Sequence, residues 1–328
     1  HVDARYMSSL TDLYLGNFDA GLLDYELRWK VKRFELSPSH FKIPEWDGQK
    51  NCRLLIWGEQ GVGDIIFFAR YLKVLQEENL TLTVCIDARL LELMRAGFSK
   101  KLKFIPQENA LFTESTPYDF HLPLGSLMKY YFVREGLSIF DLGSPYLVPV
   151  EQKNGEPFRG SYSSKCSLTQ KKETRVRIGV SWIGGSKRTD SQSYRSVELN
   201  KLLGVFDLTR CEVINLQYGP VLESHPGLID TPIDNKNDFS GLSNLITSCD
   251  LVVSIDNTTL HLASALGVRS IGLLPFSCDW RWSPISRRRL YENTFVIRQT
   301  DPSDWTEALQ SLKALIRSFE DEIAVAVH

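Results

Sequence analysis

Two stretches of this chain carry the same rhythm, a short apolar run that reads as a buried strand followed by a segment of helical period, and that alternation restricts the fold more than any other feature. The first stretch starts at Cys52: "CRLLIWG" is a strand, "VGDIIFFARYLKVLQEE" a helix, "TLTVCID" a strand, "RLLELMRAGF" a helix, "KLKFIP" and "YDFHLPL" strands, and "SLMKYYFV" a short helix. The rhythm restarts with "VRIGVSWI" and runs through "SVELNKLLGVF", "CEVINLQY", "FSGLSNLITSC", "LVVSID", "TTLHLASALG", "RSIGLLP" and "TFVIRQ". An amphipathic helix in "DPSDWTEALQSLKALIRSFEDEI" closes the chain, with Asp301 expected as its N-cap and Pro302 at its first position. Strands alternating with helices predict an α/β fold with parallel sheets covered on both faces. Residues 151–172 are rich in Ser, Lys and Gly and read as a linker. The expected organisation is a helical segment and connector over 1–50, a first Rossmann-like domain over 51–150, the linker, and a second Rossmann-like domain over 173–328. In the first segment, Phe18, Leu22, Tyr25 and Trp29 fall at helical spacing and share a face.

Composition narrows the function classes. With 328 residues, 43% of them hydrophobic, the chain is ordinary globular material. A formal net charge of -2 argues against a protein that coats nucleic acid. No apolar run approaches the roughly 18 residues that span a bilayer, which leaves room only for peripheral membrane association. Six scattered cysteines without a C-x-x-C pair read as buried thiols in a reducing compartment, so the expected location is cytoplasmic and no metal site is expected. The chain starts at His1 with no signal-peptide pattern and reads as a fragment of a longer protein.

Three strand ends gather polar residues. In "WGEQGVGDIIFFARY" a strand runs into Gly58, Gly61 and Gly63 and a helix opens at Asp64. Glycines there permit positive φ and close backbone approach, and free helix N–H groups favour an anion. The spacing G-x-x-G-x-G departs from the dinucleotide fingerprint G-x-G-x-x-G. The Asp64 carboxylate suits a base better than a phosphate neighbour, with a simply capped turn as the alternative. In "VSWIGGSKRTDSQSYRS" the cations Lys187, Arg188 and Arg195 follow a strand, where they can neutralise a departing diphosphate; a solvated loop is the other reading. In "SIDNTTLHLASALG" the helix first turn offers the N–H groups of Thr258, Thr259 and Leu260, the threonine hydroxyls and the imidazole of His261, with Asp256 placed for a sugar hydroxyl and Gly267 to end the helix. Gln217 in "INLQYGP" stands where its amide could read a nucleobase edge, or simply close a turn. "FSCDWRWSP" packs aromatics around Arg281 and reads as a core-edge cluster.

Taken together, "YELRW", "WDG", "EQGVGDIIFFARY", "GVSWIGG" with "RS", "LQYG", "DNTTLHLASALG", "DWRW" and "DPSDW" resemble glycosyltransferases of the ADP-heptose:lipopolysaccharide heptosyltransferase family, and more closely the relatives in which that module follows tetratricopeptide repeats. The resemblance runs from about Gly16 to Trp305. It implies the GT-B fold, two facing Rossmann-like domains, and metal-independent transfer with inversion from a nucleotide-diphosphate sugar to a glycan or protein acceptor, with no cofactor. It implies Asp64 as general base. It makes Asp256, Asn257, Thr258, Thr259, Leu260 and His261 a diphosphate clamp, with Gly61, Gly63, Lys187, Arg195 and Gln217 around the donor. Asn257 stands where the family usually has Thr, and "WIGGS" replaces the relatives' usual Trp-Ala-Gly-Asn-Pro. Two rival readings are a nicotinamide-dependent oxidoreductase using the Gly61 loop with Asp87, and a non-catalytic scaffold built on the same modules.

Overall fold

The computed structural model describes residues 1–31, 37–107, 117–150, 175–184, 192–218 and 225–326. They form two compact units, His1–Leu147 with Cys278–Glu292, and Val148–Ser277 with Asn293–His328. The segment Cys278–Glu292, expected inside the second domain, therefore belongs to the first unit.

The first unit opens with a helical hairpin, α1 (Val2–Leu15) and α2 (Phe18–Tyr25), joined at Gly16, whose φ of 84° ends α1. Gly21 lets the helices meet: a Cβ there would come within 2.8 Å of Leu13 Cγ. The chain tightens into a 3-10 turn over Glu26–Lys30 and reaches a four-stranded parallel sheet of β1 (Arg53–Trp57), β2 (Thr81–Ile86), β3 (Leu102–Pro106) and β4 (Phe120–Pro123), in the order β3-β2-β1-β4. Helices α3 (Val62–Phe68), α4 (Leu72–Leu75), α5 (Leu91–Gly97) and α6 (Ser126–Glu135) connect and cover it. Leu54, Leu55, Ile56 and Trp57 are all fully buried, which is why β1 reads as a continuous apolar run rather than an alternating one.

The second unit holds a five-stranded parallel sheet of β5 (Val176–Ser181), β6 (Cys211–Asn215), β7 (Leu251–Ile255), β8 (Ser270–Leu274) and β9 (Thr294–Arg298), in the order β6-β5-β7-β8-β9. Its helices are α7 (Gln192–Arg195), α8 (Leu199–Leu203), α9 (Phe239–Thr247), α10 (Thr258–Ala265) and α11 (Thr306–Ala326). The core joins Ile178, Val180, Val213, Val253 and Ile271 to Trp305, just before the closing helix, and to Leu312 and Ile316 within it.

This is the α/β class expected from the sequence, two doubly wound parallel sheets preceded by helices. Each sheet has one position where the winding reverses, between β1 and β4 in the first and between β5 and β7 in the second. In open α/β sheets such reversals open a crevice beyond the strand carboxyl ends, and ligands bind there. One boundary is corrected. The last helix starts at Thr306, not at Pro302. The residues before it make a turn in which Ser303 has φ 65°, and the Asp304 carboxylate accepts from the backbone N–H (2.9 Å) and the hydroxyl (2.7 Å) of Thr306.

Candidate functional site

The chain leaves β1 at the reversal of the first sheet and turns through Gly58–Gly61 into α3. Expected freedom for Gly58, Gly61 and Gly63 is not used as positive φ; the left-handed residue is Gln60, at φ 61°. Gly58 serves by close approach, since a Cβ would sit 3.0 Å from Ile65 Cδ1. Gly61 caps α3, and its N–H donates to Asp64 Oδ2 at 3.1 Å. The other oxygen, Oδ1, accepts from Arg281 Nη2 at 2.8 Å. Both oxygens keep lone pairs, because each accepts one of these bonds. The Asp64 side chain is 27% exposed, enough for a hydroxyl to reach it.

Arg281 arrives on the returning segment Cys278–Glu292. Asp279 starts its 3-10 turn by accepting from Arg281 N (3.0 Å) and also binds Arg281 Nη1 (3.2 Å). The guanidinium carbon lies 4.8 Å from the Phe67 ring centre and 5.1 Å from that of Trp280, so the charge is held between aromatic faces and aimed at Asp64. The "DWRW" motif thus does more than fill a core edge. Its pairing with Asp64, 217 residues away, gives no local sequence signal.

Behind this turn lies a buried charge cluster that the sequence reading did not assign. Arg28, fully buried, donates through Nε and Nη2 to Glu59 Oε2 (both 3.2 Å), through Nη1 to Glu26 Oε1 (2.8 Å) and through Nη2 to Ser126 Oγ (2.8 Å). Ser126 in turn donates to Glu26 Oε2 at 2.8 Å. One guanidinium thus faces two carboxyl groups. Burial alone would push Glu26 up, but the Arg28 charge and the Arg28 and Ser126 hydrogen bonds outweigh it, and its carboxyl sits below the ordinary range. Burial pushes Glu59 up to about 7, because a second negative charge has no further cation to balance it.

The reversal of the second sheet gathers the remaining predicted residues. Asp256, buried at the tip of β7, receives Arg195 Nη2 on its carboxylate (3.1 Å) and on its carbonyl (2.9 Å). His261 Nε2 stands 3.7 Å from Asp256 Oδ1. Asn257 is the N-cap of α10; its Oδ1 accepts from Thr259 N (2.9 Å), Leu260 N (3.3 Å) and Ser254 Oγ (3.0 Å), and its Nδ2 donates to Ser181 Oγ (2.8 Å).

In this geometry several of the expected ligand groups already have protein partners. The Thr259 and Leu260 amides are already satisfied by Asn257, and the Thr259 hydroxyl donates to Leu216 O at 3.2 Å, so among the clamp residues of the first turn Thr258 is the one left half-exposed at the helix mouth. Gln217 spends its side-chain amide on neighbouring backbone. It is buried, its Oε1 accepts from Trp182 N and Ile183 N (both 2.8 Å), and its Nε2 donates to Ile183 O (3.2 Å). Gln217 is a strut holding the end of β5. Asp87 is consumed by Arg89, at 2.7 Å, while its oxygen caps the following turn, so the acid that a nicotinamide ribose would need is engaged elsewhere. Lys187 and Arg188 lie outside the described residues.

Among the described residues no group of three or more His, Cys, Asp or Glu side chains is placed to hold a metal ion, and no helix is long and apolar enough to cross a membrane. Burial pushes the Cys85 and Cys249 thiols up to about 12.

Comparison with known proteins bears most directly on residues 226–303, which include parts of both units. Residues 226–303 match the model of glycosyltransferase family 9 (heptosyltransferase). That stretch contains Asp256–His261 and Trp280–Trp282. Protein FlbA of Caulobacter vibrioides is 27% identical over 296 residues, which cover 82% of this chain and 47% of FlbA. The chain thus spans about half the length of that relative. A glycosyl transferase family 9 structure from Veillonella parvula is similar at 15% identity and a TM-score of 0.49, over 80% of this chain and 91% of that one. The E. coli ADP-heptose lps heptosyltransferase II is similar at 14% identity and a TM-score of 0.47, over 82% and 99%. The similarity to glycosyltransferase family 9 is thus carried by residues 226–303.

Proposed function

We propose that this protein is an inverting glycosyltransferase that takes a nucleotide-diphosphate sugar as donor and a glycan or protein hydroxyl as acceptor. Asp64 is the general base: it takes the acceptor proton as the acceptor oxygen bonds to the anomeric carbon and the bond from that carbon to the diphosphate oxygen breaks. Arg281 keeps the carboxylate in one orientation by binding Oδ1. On the donor side, Thr258 at the mouth of α10, His261 and the guanidinium of Arg195 meet the diphosphate, while Asp256 anchors Arg195 through Nη2. Protein cations and helix amides stabilise the leaving group in this reading, without a metal step. The helical hairpin fits the end of a tetratricopeptide array, and the location is cytoplasmic.

The observation that carries the reading is the placement of Asp64 and of the Asp256–His261 cluster each at the winding reversal of its own sheet, in a chain whose residues 226–303 match the family 9 model. The test has two stages. A thermal-shift panel of UDP, GDP, ADP and CMP identifies the nucleotide, since a ligand at 100 times its Kd stabilises by about 2.7 kcal/mol. Asp64→Asn should then lower turnover of the matching nucleotide sugar about 10²- to 10⁴-fold while leaving nucleotide binding intact. Equal loss of binding and turnover contradicts the role of Asp64; no nucleotide-dependent stabilisation supports a scaffold instead.

A further inference from the structure

We propose that Arg28 is a positioning residue for the base, and that the 3-10 turn Glu26–Lys30 after the N-terminal hairpin is a working part of the acceptor site. This rests on the assignment of Asp64 above.

Three observations carry it. First, the turn that presents Asp64 contains a non-glycine residue in the left-handed region, Gln60 at φ 61°, a conformation that ordinary side chains adopt only when the surroundings impose it. Second, both residues that lead into Gly61 are held by the N-terminal segment. Glu59 is bound by Arg28 as described, and Gln60 Nε2 donates to Tyr25 Oη at 3.1 Å. Third, the same N-terminal residues touch the segment that delivers Arg281. The Tyr25 and Trp280 rings meet edge to face at 6.0 Å, and Ser283 donates to the carbonyl of Tyr14. The hairpin therefore fixes the backbone carrying Asp64 on one side and the segment carrying its Arg281 partner on the other.

Burial explains why arginine is needed. Arg28 sends donors in three directions, to Glu59, Glu26 and Ser126, and stacks 4.2 Å from the Trp29 ring centre and 4.6 Å from that of Tyr25. A lysine supplies the charge as a point and cannot span those acceptors.

The test is a cycle between Arg28→Lys and Asp64→Asn, read as nucleoside diphosphate release from the nucleotide sugar that the wild type turns over. Acting through Asp64, Arg28→Lys lowers kcat about tenfold with donor KM unchanged, and lowers it no further in the Asp64→Asn background. Tyr25→Phe, which removes only the oxygen that Gln60 donates to, is a milder second probe should Arg28→Lys fail to fold, and lowers kcat about threefold in the same pattern. Hydrogen exchange at residues 60–64 speeds up in both variants. Equal losses in the wild-type and Asp64→Asn backgrounds, or unchanged kcat in both variants, overturn the proposal. Full turnover by Asp64→Asn alone instead removes the general-base reading, and this proposal with it.

Discussion

Glu59 gives the sharpest quantitative test of the buried cluster. Its carboxyl sits near 7 against an ordinary value of 4.5, chiefly because burial disfavours its charged form; Arg28 opposes that displacement, and the Glu26 and Asp64 carboxylates add to it. For an acid raised on folding, the native state binds more protons than the unfolded chain between the two values. Stability therefore falls as pH rises from about 4.5 to about 7 and levels off above. At about 1.4 kcal/mol per pH unit the whole displacement amounts to about 3 kcal/mol. Glu59→Gln keeps the shape and cannot ionise, so this slope disappears in the variant. Urea unfolding at pH 5, 6, 7 and 8, followed by tryptophan fluorescence, reads the difference, because Trp29, Trp46, Trp57, Trp280 and Trp282 all belong to the first unit. Wild type should lose ground to Glu59→Gln by up to about 3 kcal/mol between pH 5 and pH 8. Parallel curves, agreeing to within about 0.5 kcal/mol across that range, would show that Glu59 is ionised throughout and that Arg28 neutralises both carboxylates.

Two further substitutions probe the strand ends. Gly125→Ala drives a methyl into Glu59 Oε1, in a carboxylate that Arg28 holds through Oε2, and should lower the urea midpoint by the equivalent of about 1–3 kcal/mol, with a crystal structure of the variant showing a displaced Glu59. Asn257→Ala strips the α10 cap and the bond to Ser181 together; a loss of about 2 kcal/mol in urea unfolding is expected, whereas Asn257→Asp keeps the capping oxygen and should recover more than half of it.

Strands were legible in the sequence because buried parallel strands read as unbroken apolar runs, as in "RLLIW" and "LVVSI", and the turns after them were legible through their polar residues. What the sequence did not show is where polar groups find partners. Arg28 and Glu59 are 31 positions apart, Asp64 and Arg281 are 217, and neither pair leaves a periodic trace. Segment Cys278–Glu292 looks like any loop between β8 and β9, and nothing local says that it joins the other unit. At Asn257 and Gln217 the residue types were read as ligand contacts, yet a buried amide is first of all a hydrogen-bonding obligation, and the backbone at the ends of β5 and β7 claimed both. Asp301 failed as a cap for a related reason: Asp304, three residues later, met the same N-cap requirement closer to the apolar face that begins at Trp305.

The two strand-end turns solve one problem by different means. A turn at a winding reversal must stay open to a ligand, so it cannot be sealed by core side chains, yet its backbone polar groups still need partners. The second sheet meets this from within. Gln217, Asn257 and Asn235 extend from neighbouring strand ends and loops of the same unit, and each ties backbone groups of the next, with Asn235 Nδ2 donating to the carbonyls of Asn215 and Gln217 at 3.2 Å. The first sheet has glycines where those amides would stand, and Glu59 and Gln60 reach instead for the N-terminal turn, while Asp64 reaches for the returning segment. A site propped by its own strands keeps its shape for as long as its sheet holds. A site propped by distant segments depends on their docking, so changes at Tyr25, Arg28 or Trp280 should act on Asp64 although none of them touches it.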